Sequence, residues 1–205
     1  MALTSYATLT TALGTWDKRT YTSDQTDEAI LLTEARANRK LASDFRRRTS
    51  ATINTDASGV GTLPTSFIGM VSLTRDVAGS LPLRMVPYGA LIERNPYEVS
   101  SDSDVYALLS NTSLQVAPVT DDNFIAVYST VVPALSGSNT TNWLLSLAPD
   151  YYLFGCQAAL AARRKSYGEA AALQSQADDI LSQIVSQGNV AEYGNAEMTF
   201  PMRAP

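Results

Sequence analysis

Asp27-Glu-Ala-Ile-Leu-Leu-Thr-Glu-Ala-Arg-Ala-Asn-Arg-Lys-Leu-Ala-Ser-Asp-Phe-Arg-Arg-Arg48 runs directly into Thr49-Ser-Ala-Thr-Ile-Asn54, and the fold turns on that junction. The first stretch opens on two carboxylates and closes on three guanidinium groups, the charge order that a helix macrodipole favours. Between them Leu31, Ala35, Asn38, Ala42 and Phe45 recur at helical spacing and draw one mostly apolar face. From Thr49 the texture changes to short runs rich in Val, Ile, Thr and Tyr, cut by turn residues, as expected of strands. A helix is therefore predicted to end near Arg48 and a β region to begin.

Working outward, Tyr6, Leu9 and Leu13 predict an earlier helix, with Gly14 as its stop and 20–26 as a polar link. Beyond the junction, apolar or alternating runs at 51–54, 67–73, 83–86, 105–109, 114–116 and 125–132 predict an antiparallel sheet or small sandwich. Pro87 followed by 88–93 reads as a short helix within it. A polar loop at 136–141 then gives way to a helix or turn from Asn142, and Pro149 restarts a helix at its first turn. Gly155, Ala158 or Ala159, and Ala162 form a small-residue stripe along it, and Ser166 with Glu169 fits a capping box. Leu173, Ala177, Ile180, Leu181 and Ile184 draw the last periodic stripe, and the residues after Gly188 show no period. The fold class expected is α+β, a bundle of N-terminal and C-terminal helices with a central antiparallel β insertion. A single domain over 1–205 is expected: helical at 1–48, β-rich at 49–134, helical at 135–187, and an extended arm at 188–205.

Composition narrows the function. With 205 residues, 45% hydrophobic and 17% charged, and a mean hydropathy of −0.06, this is a soluble globular composition with no apolar run near membrane-span length. The first residues predict no secretory signal. Fifteen Lys and Arg against twenty Asp and Glu give a net charge of −5, too little cationic surface for tight DNA binding, though DNA that slides past is compatible with it. The chain has no histidine and one cysteine, Cys156. Those counts exclude Ser-His-Asp and Cys-His catalysis, a Cys/His zinc site and an intramolecular disulfide.

Residues that carry chemistry elsewhere have plainer readings here. Asp102 with Asp104, and Asp178 with Asp179, have the residue types of a glycosidase acid–base pair. The first lies in a Ser/Asp-rich turn, and the second on the polar face of the last helix. Gly59-Val60-Gly61 lacks the third glycine and the Lys of a phosphate loop, and reads as a tight turn entering a strand. Asn111 and Asn139 head glycosylation-type triplets in loops. Cys156 sits in an apolar helical run as a small hydrophobe. The clusters 46–48 and 163–165 end helices. No catalytic residue, cofactor-binding residue or metal ligand is expected, and no cofactor.

Three segments carry a resemblance. Leu32-Thr-Glu-Ala-Arg-Ala-Asn-Arg-Lys-Leu41 resembles the Glu-Ala-Arg-x-x-Arg-x-Leu helix of head-to-tail adaptor (connector ring) proteins of short-tailed bacteriophages. Gly61-Thr-Leu-Pro-Thr-Ser-Phe67 is similar to their strand entry. Pro133-Ala-Leu-Ser-Gly-Ser-Asn-Thr-Thr-Asn-Trp-Leu-Leu145, followed by Ala148-Pro-Asp-Tyr-Tyr-Leu-Phe-Gly155, resembles their Asn-Trp-Leu loop and Asp-x-Tyr-Leu-Tyr-Gly helix, with Phe154 in place of the usual tyrosine. Order and spacing hold over about residues 30 to 185.

The resemblance implies a structural virion protein, assembled in the host cytoplasm. Its homo-oligomer is a twelve-subunit ring between the portal protein and a tail nozzle or hub protein. Double-stranded DNA passes through the lumen without specific binding, and no membrane is involved. The alternatives are a stopper or tail-completion protein of the neck, or a virion glycan-binding or glycan-cleaving module using Asp102, Asp104 and the tyrosines. Candidate packing and interface residues are Trp143, Asn142 and Tyr151, with Tyr193, Met198, Phe200 and Met202 of the arm. The arm's apolar residues and prolines suit a segment that orders against the portal or a neighbouring subunit.

Overall fold

The computed structural model of the chain describes residues 2–41, 44–93 and 105–193. In chain order the elements are α1 (Tyr6–Asp17), α2 (Ser23–Lys40), a 3₁₀ turn at Phe45–Arg47, β1 (Arg48–Asn54), β2 (Val60–Thr62), β3 (Phe67–Arg75) and β4 (Arg84–Met85). They continue with α3 (Tyr88–Glu93), β5 (Val105–Leu108), β6 (Ser113–Ala117), β7 (Asn123–Thr130), α4 (Trp143–Leu147), α5 (Pro149–Arg163) and α6 (Tyr167–Tyr193). The chain is α+β, with helices at both ends and strands between them. It divides into two compact units, Met1–Arg46 with Val132–Pro205, and Arg47–Val131.

In the helical unit α5 packs against both α2 and α6, and α1 adds Leu9 and Leu13 to the same core. Tyr151, Tyr152, Cys156, Leu144 and Ile30 are buried there. The α6 stripe is seated as its spacing predicts: Ala177, Leu181 and Ile184 are buried, with Ile180 packed beside them. Pro149 is the first residue of α5, where its missing N–H costs nothing.

Four boundaries and one face differ from the sequence expectation. α1 runs past Gly14 to Asp17 and is closed by Lys18 in the left-handed region, at φ 50°. Gly14 instead allows the returning chain to come close, since a Cβ there would lie 3.0 Å from the Arg19 carbonyl oxygen. α2 begins at Ser23 rather than near Asp27, because Thr22 and Gln25 form a capping box. It ends at Lys40, short of Arg48. Asp44 Oδ1 accepts the Arg46 N–H at 2.8 Å, a local side-chain bond that competes with helix continuation. α6 continues through Gly188 to Tyr193, so 188–193 of the expected arm are helical and the rest of that expectation lies outside the described residues. A Cβ on Gly188 would lie 3.1 Å from Asp44 Oδ2, and the glycine serves close approach rather than termination.

The difference of face concerns α2. It buries Thr26, Ala29, Ile30, Thr33, Glu34 and Ala37, while Leu31 and Leu32 are 63% and 54% exposed. Sequence periodicity counts apolar residues, and here the buried face includes polar groups whose partners lie more than a hundred residues away.

The second unit holds two sheets. One has the order β1-β7-β3, antiparallel throughout, and the other β2-β6-β5-β4. Within the second, β4 pairs with β5 in parallel, which departs from the all-antiparallel expectation. Ile53, Leu73, Leu114, Val116, Phe124 and Ala126 make one buried cluster. The segment at 59–61 is a turn into β2. Gly59 has φ +70°, and a Cβ on Gly61 would sit 2.6 Å from Ile53 Cγ2. Arg47, expected as a helix-ending cation, is almost fully buried, and its Nε donates to the Thr130 carbonyl at 2.7 Å. That bond anchors the beginning of β1 to the end of β7.

Candidate functional site

Two of the three family-like segments meet in the helical unit, and their polar residues bond to one another. Glu34 of α2 accepts from the Leu135 N–H at 2.9 Å and from the Tyr152 hydroxyl of α5 at 3.1 Å. Asn142 donates through Nδ2 to the Tyr152 hydroxyl oxygen at 2.8 Å and to the Pro133 carbonyl at 2.7 Å. Its Oδ1 accepts the Leu145 N–H at 2.8 Å and so caps α4. One turn further along α2, Asn38 Oδ1 accepts the Val132 N–H at 2.8 Å. The result is a clasp: α2 and α5 hold the loop at 132–142 through side chains, with Asn142 at its centre.

Beside it Tyr151 donates to the Thr33 carbonyl at 2.7 Å, and Thr33 donates to the Ala29 carbonyl at 2.8 Å. Gly155 is what lets α2 and α5 approach, since a Cβ there would lie 2.6 Å from Thr33 Cγ2. The third segment, Gly61–Phe67, belongs to the other unit and contributes Leu63 to that unit's core.

The electrostatics follow from burial. Desolvation raises the Glu34 carboxyl above its ordinary range, opposed by the bonds from Leu135 and Tyr152. Burial, then the neighbouring Glu34 charge, keeps the Tyr152 phenol protonated well past its usual range. The Cys156 thiol is pushed up to about 12 by burial, which leaves it inert as a nucleophile. These groups satisfy each other inside the unit.

The remaining candidates are placed as follows. Trp143 is half-buried, packed against the helical core, while Leu144 and Leu145 beside it are fully buried. Asn142 and Tyr151 are buried. Tyr193 closes α6, and Met198, Phe200 and Met202 lie outside the described residues. Asp102 and Asp104 also lie outside them. Asp178 accepts from Gln174 on its own helix at 3.3 Å, and Asp179 is exposed beside it. Arg163 pairs with Glu28 of α2. Arg164 pairs with Asp17 and, at 3.2 Å, with Glu169, so Glu169 faces an arginine. Sequence reasoning missed Glu34, Asn38 and Tyr152 as a set. The Glu-Ala-Arg-Ala-Asn spacing of α2 and the Tyr-Tyr pair of α5 were visible, but nothing in either told which would face the other.

The polar groups of these motifs thus hold the unit's own loop in place. The chain belongs to the SU10 adaptor protein family, whose model matches residues 4–199 and so takes in all three segments. It is a phage adaptor, a structural component of the virion. Comparison with curated proteins returned no match. Among the described residues no helix is long and apolar enough to cross a membrane.

Proposed function

We propose that the chain is one subunit of a dodecameric ring at the head-to-tail junction, docked below the portal protein and extending the DNA channel toward a tail nozzle or hub protein. It assembles in the host cytoplasm, works as a single adaptor domain, and acts by position, without catalysis or cofactor. The clasp carries this reading. A motif of Glu, Asn and Tyr, the residue types that elsewhere bind or cleave a ligand, is committed to fixing a loop on a helix pair. Rigid loops on rigid helices are what a ring subunit needs to present two complementary faces for a closing, heterologous interface. The net charge of −5 supports a lumen that DNA slides through without being gripped.

The test is electron microscopy of the purified chain mixed with its portal protein. Twelve-fold class averages with an open channel are expected below the portal. A closed plug, a different symmetry, or a chain that never joins the portal overturns the proposal.

A further inference from the structure

The face of α2 left bare by its unexpected orientation forms one wall of a groove. Its floor is the small-residue surface of α5, Gly155, Ala158, Ala159 and Ala162. Leu32, Arg36 and Arg39 of α2 stand on one side, and Ala170, Ala171 and Gln174 of α6 on the other. At the α2 N-terminal end it continues between Gln25, Glu28, Leu32 and Ala162. The floor is shallow because it carries methyl groups or nothing, and the wall is apolar through Leu32, 54% exposed. Neither Arg36 nor Arg39 is in an ion pair among the described residues.

We infer that this groove receives the C-terminal segment Glu197–Arg203 of a second copy of the chain, resting on the ring reading above. The length fits first. From Gln25 to Arg39 the α2 wall spans fourteen residue steps, about 21 Å at the helical rise. Glu197-Met-Thr-Phe-Pro-Met-Arg203 spans six steps, about 20 Å when extended. Its pattern fits second. Met198, Phe200 and Met202 alternate, so an extended chain presents all three to one side, and Pro201 disfavours a helix. The open part of the floor is at Ala159 and Ala162, since Gly155 and Ala158 are buried.

Charge sets the polarity. The groove is cationic at the end of Arg36 and Arg39, while at its other end Glu28 is already paired with Arg163. The segment is acidic at Glu197 and basic at Arg203. Seated with Glu197 toward Arg39, the segment brings its carboxylate to the cationic end, where Glu197, on the face opposite the three apolar side chains, meets the arginines at the groove's rim.

The chain's own segment does not reach. Gln174 lies nineteen residues before Tyr193 on α6, about 28 Å along the helix. Phe200 is seven residues beyond Tyr193, a reach of at most about 24 Å, before any allowance for reversing direction. The occupant is therefore supplied by a neighbour, and the contact is head-to-tail, of the kind that closes a ring.

The test uses full-length chains. One preparation carries Ala162→Cys and a differently sized tagged one carries Phe200→Cys, and they are mixed under assembly conditions and oxidised. Cys156 is buried and does not compete. The expected product is a disulfide-linked pair of the two sizes, absent when Gln183→Cys on the exposed face of α6 replaces Ala162→Cys. Arg39→Glu in the first chain should lower the yield about two- to five-fold, the range of an exposed ion pair, and Glu197→Arg in the second should restore it. Micrographs of the same mixtures separate the two ideas. Rings that form while the pair stays at the control yield overturn the groove assignment and leave the ring standing. A cross-link within one chain carrying both cysteines overturns it as well. No ring in the unsubstituted protein overturns the ring reading itself.

Discussion

Asn142→Ala removes three hydrogen bonds from one buried side chain and tests whether the clasp holds the loop. The cap of α4 is lost, worth about 1 kcal/mol in typical cases. The Pro133 carbonyl and the Tyr152 hydroxyl each lose a donor, and bonds of this kind contribute about 1 kcal/mol apiece. Tyr152 still donates to Glu34, so it is not orphaned, and the loss at that atom stays at the lower end. The expected cost is about 3 kcal/mol, or roughly 6–12 °C in melting temperature for a chain of this size. Trp16 and Trp143 both lie in the helical unit, so tryptophan emission during urea unfolding reports on that unit alone. Asn142→Ser keeps an oxygen for the cap and should recover about 1 kcal/mol of the loss. Asn142→Asp keeps the cap but sets a second carboxylate near Glu34, and should be no better than alanine. A change of less than about 1 kcal/mol for Asn142→Ala would show that the loop is held by its apolar contacts, and the clasp argument would fail.

Three further outcomes are expected. Gly155→Ala places a methyl 2.6 Å from Thr33 Cγ2 and should destabilise the helical unit by about 1–3 kcal/mol by the same fluorescence assay; full tolerance would mean α2 and α5 are free to separate. Trp143→Ala, at a half-buried site, should cost roughly 1.5–3 kcal/mol, below the range for fully buried aromatic residues, and a loss above that range would show the indole to be fully buried. Glu34→Gln addresses pH. Because the folded carboxyl is raised, its contribution to stability is fully present below the unfolded value, near pH 4.5, and is lost as the pH rises through the raised folded value. Wild type should therefore lose stability relative to the glutamine variant between about pH 4.5 and neutrality, measured as urea midpoints; a constant gap, or one of opposite sign, would refute the raised carboxyl.

How far the sequence could be read depended on the kind of signal each element carries. The stripe of α6, the strands near 67–73 and 114–116, the helix at 88–93 and the restart at Pro149 were legible because each is local: a period, a turn residue or a fixed φ states them within a few positions. The helix–strand junction was legible in kind but not in place. Asp44 bonds to the backbone two residues on, and that bond ends the helical path before the arginines that look like its C-terminus. Family membership was legible in the spacing of short motifs, although those motifs mark internal packing.

The sequence by itself determined the fold class, the order of elements, and the absence of histidine and of a second cysteine, since these are fixed by composition and by neighbours along the chain. Tertiary structure alone decided which side of α2 is inside. Leu31 and Leu32 have the hydrophobicity for burial, yet the core took Thr33 and Glu34, because Tyr152 and Leu135 donate to the Glu34 carboxylate and the Thr33 hydroxyl donates to the Ala29 carbonyl, which makes those polar groups affordable to bury. Partners more than a hundred residues apart are invisible to any window read along the chain, and Leu32, left outside by them, lines the groove.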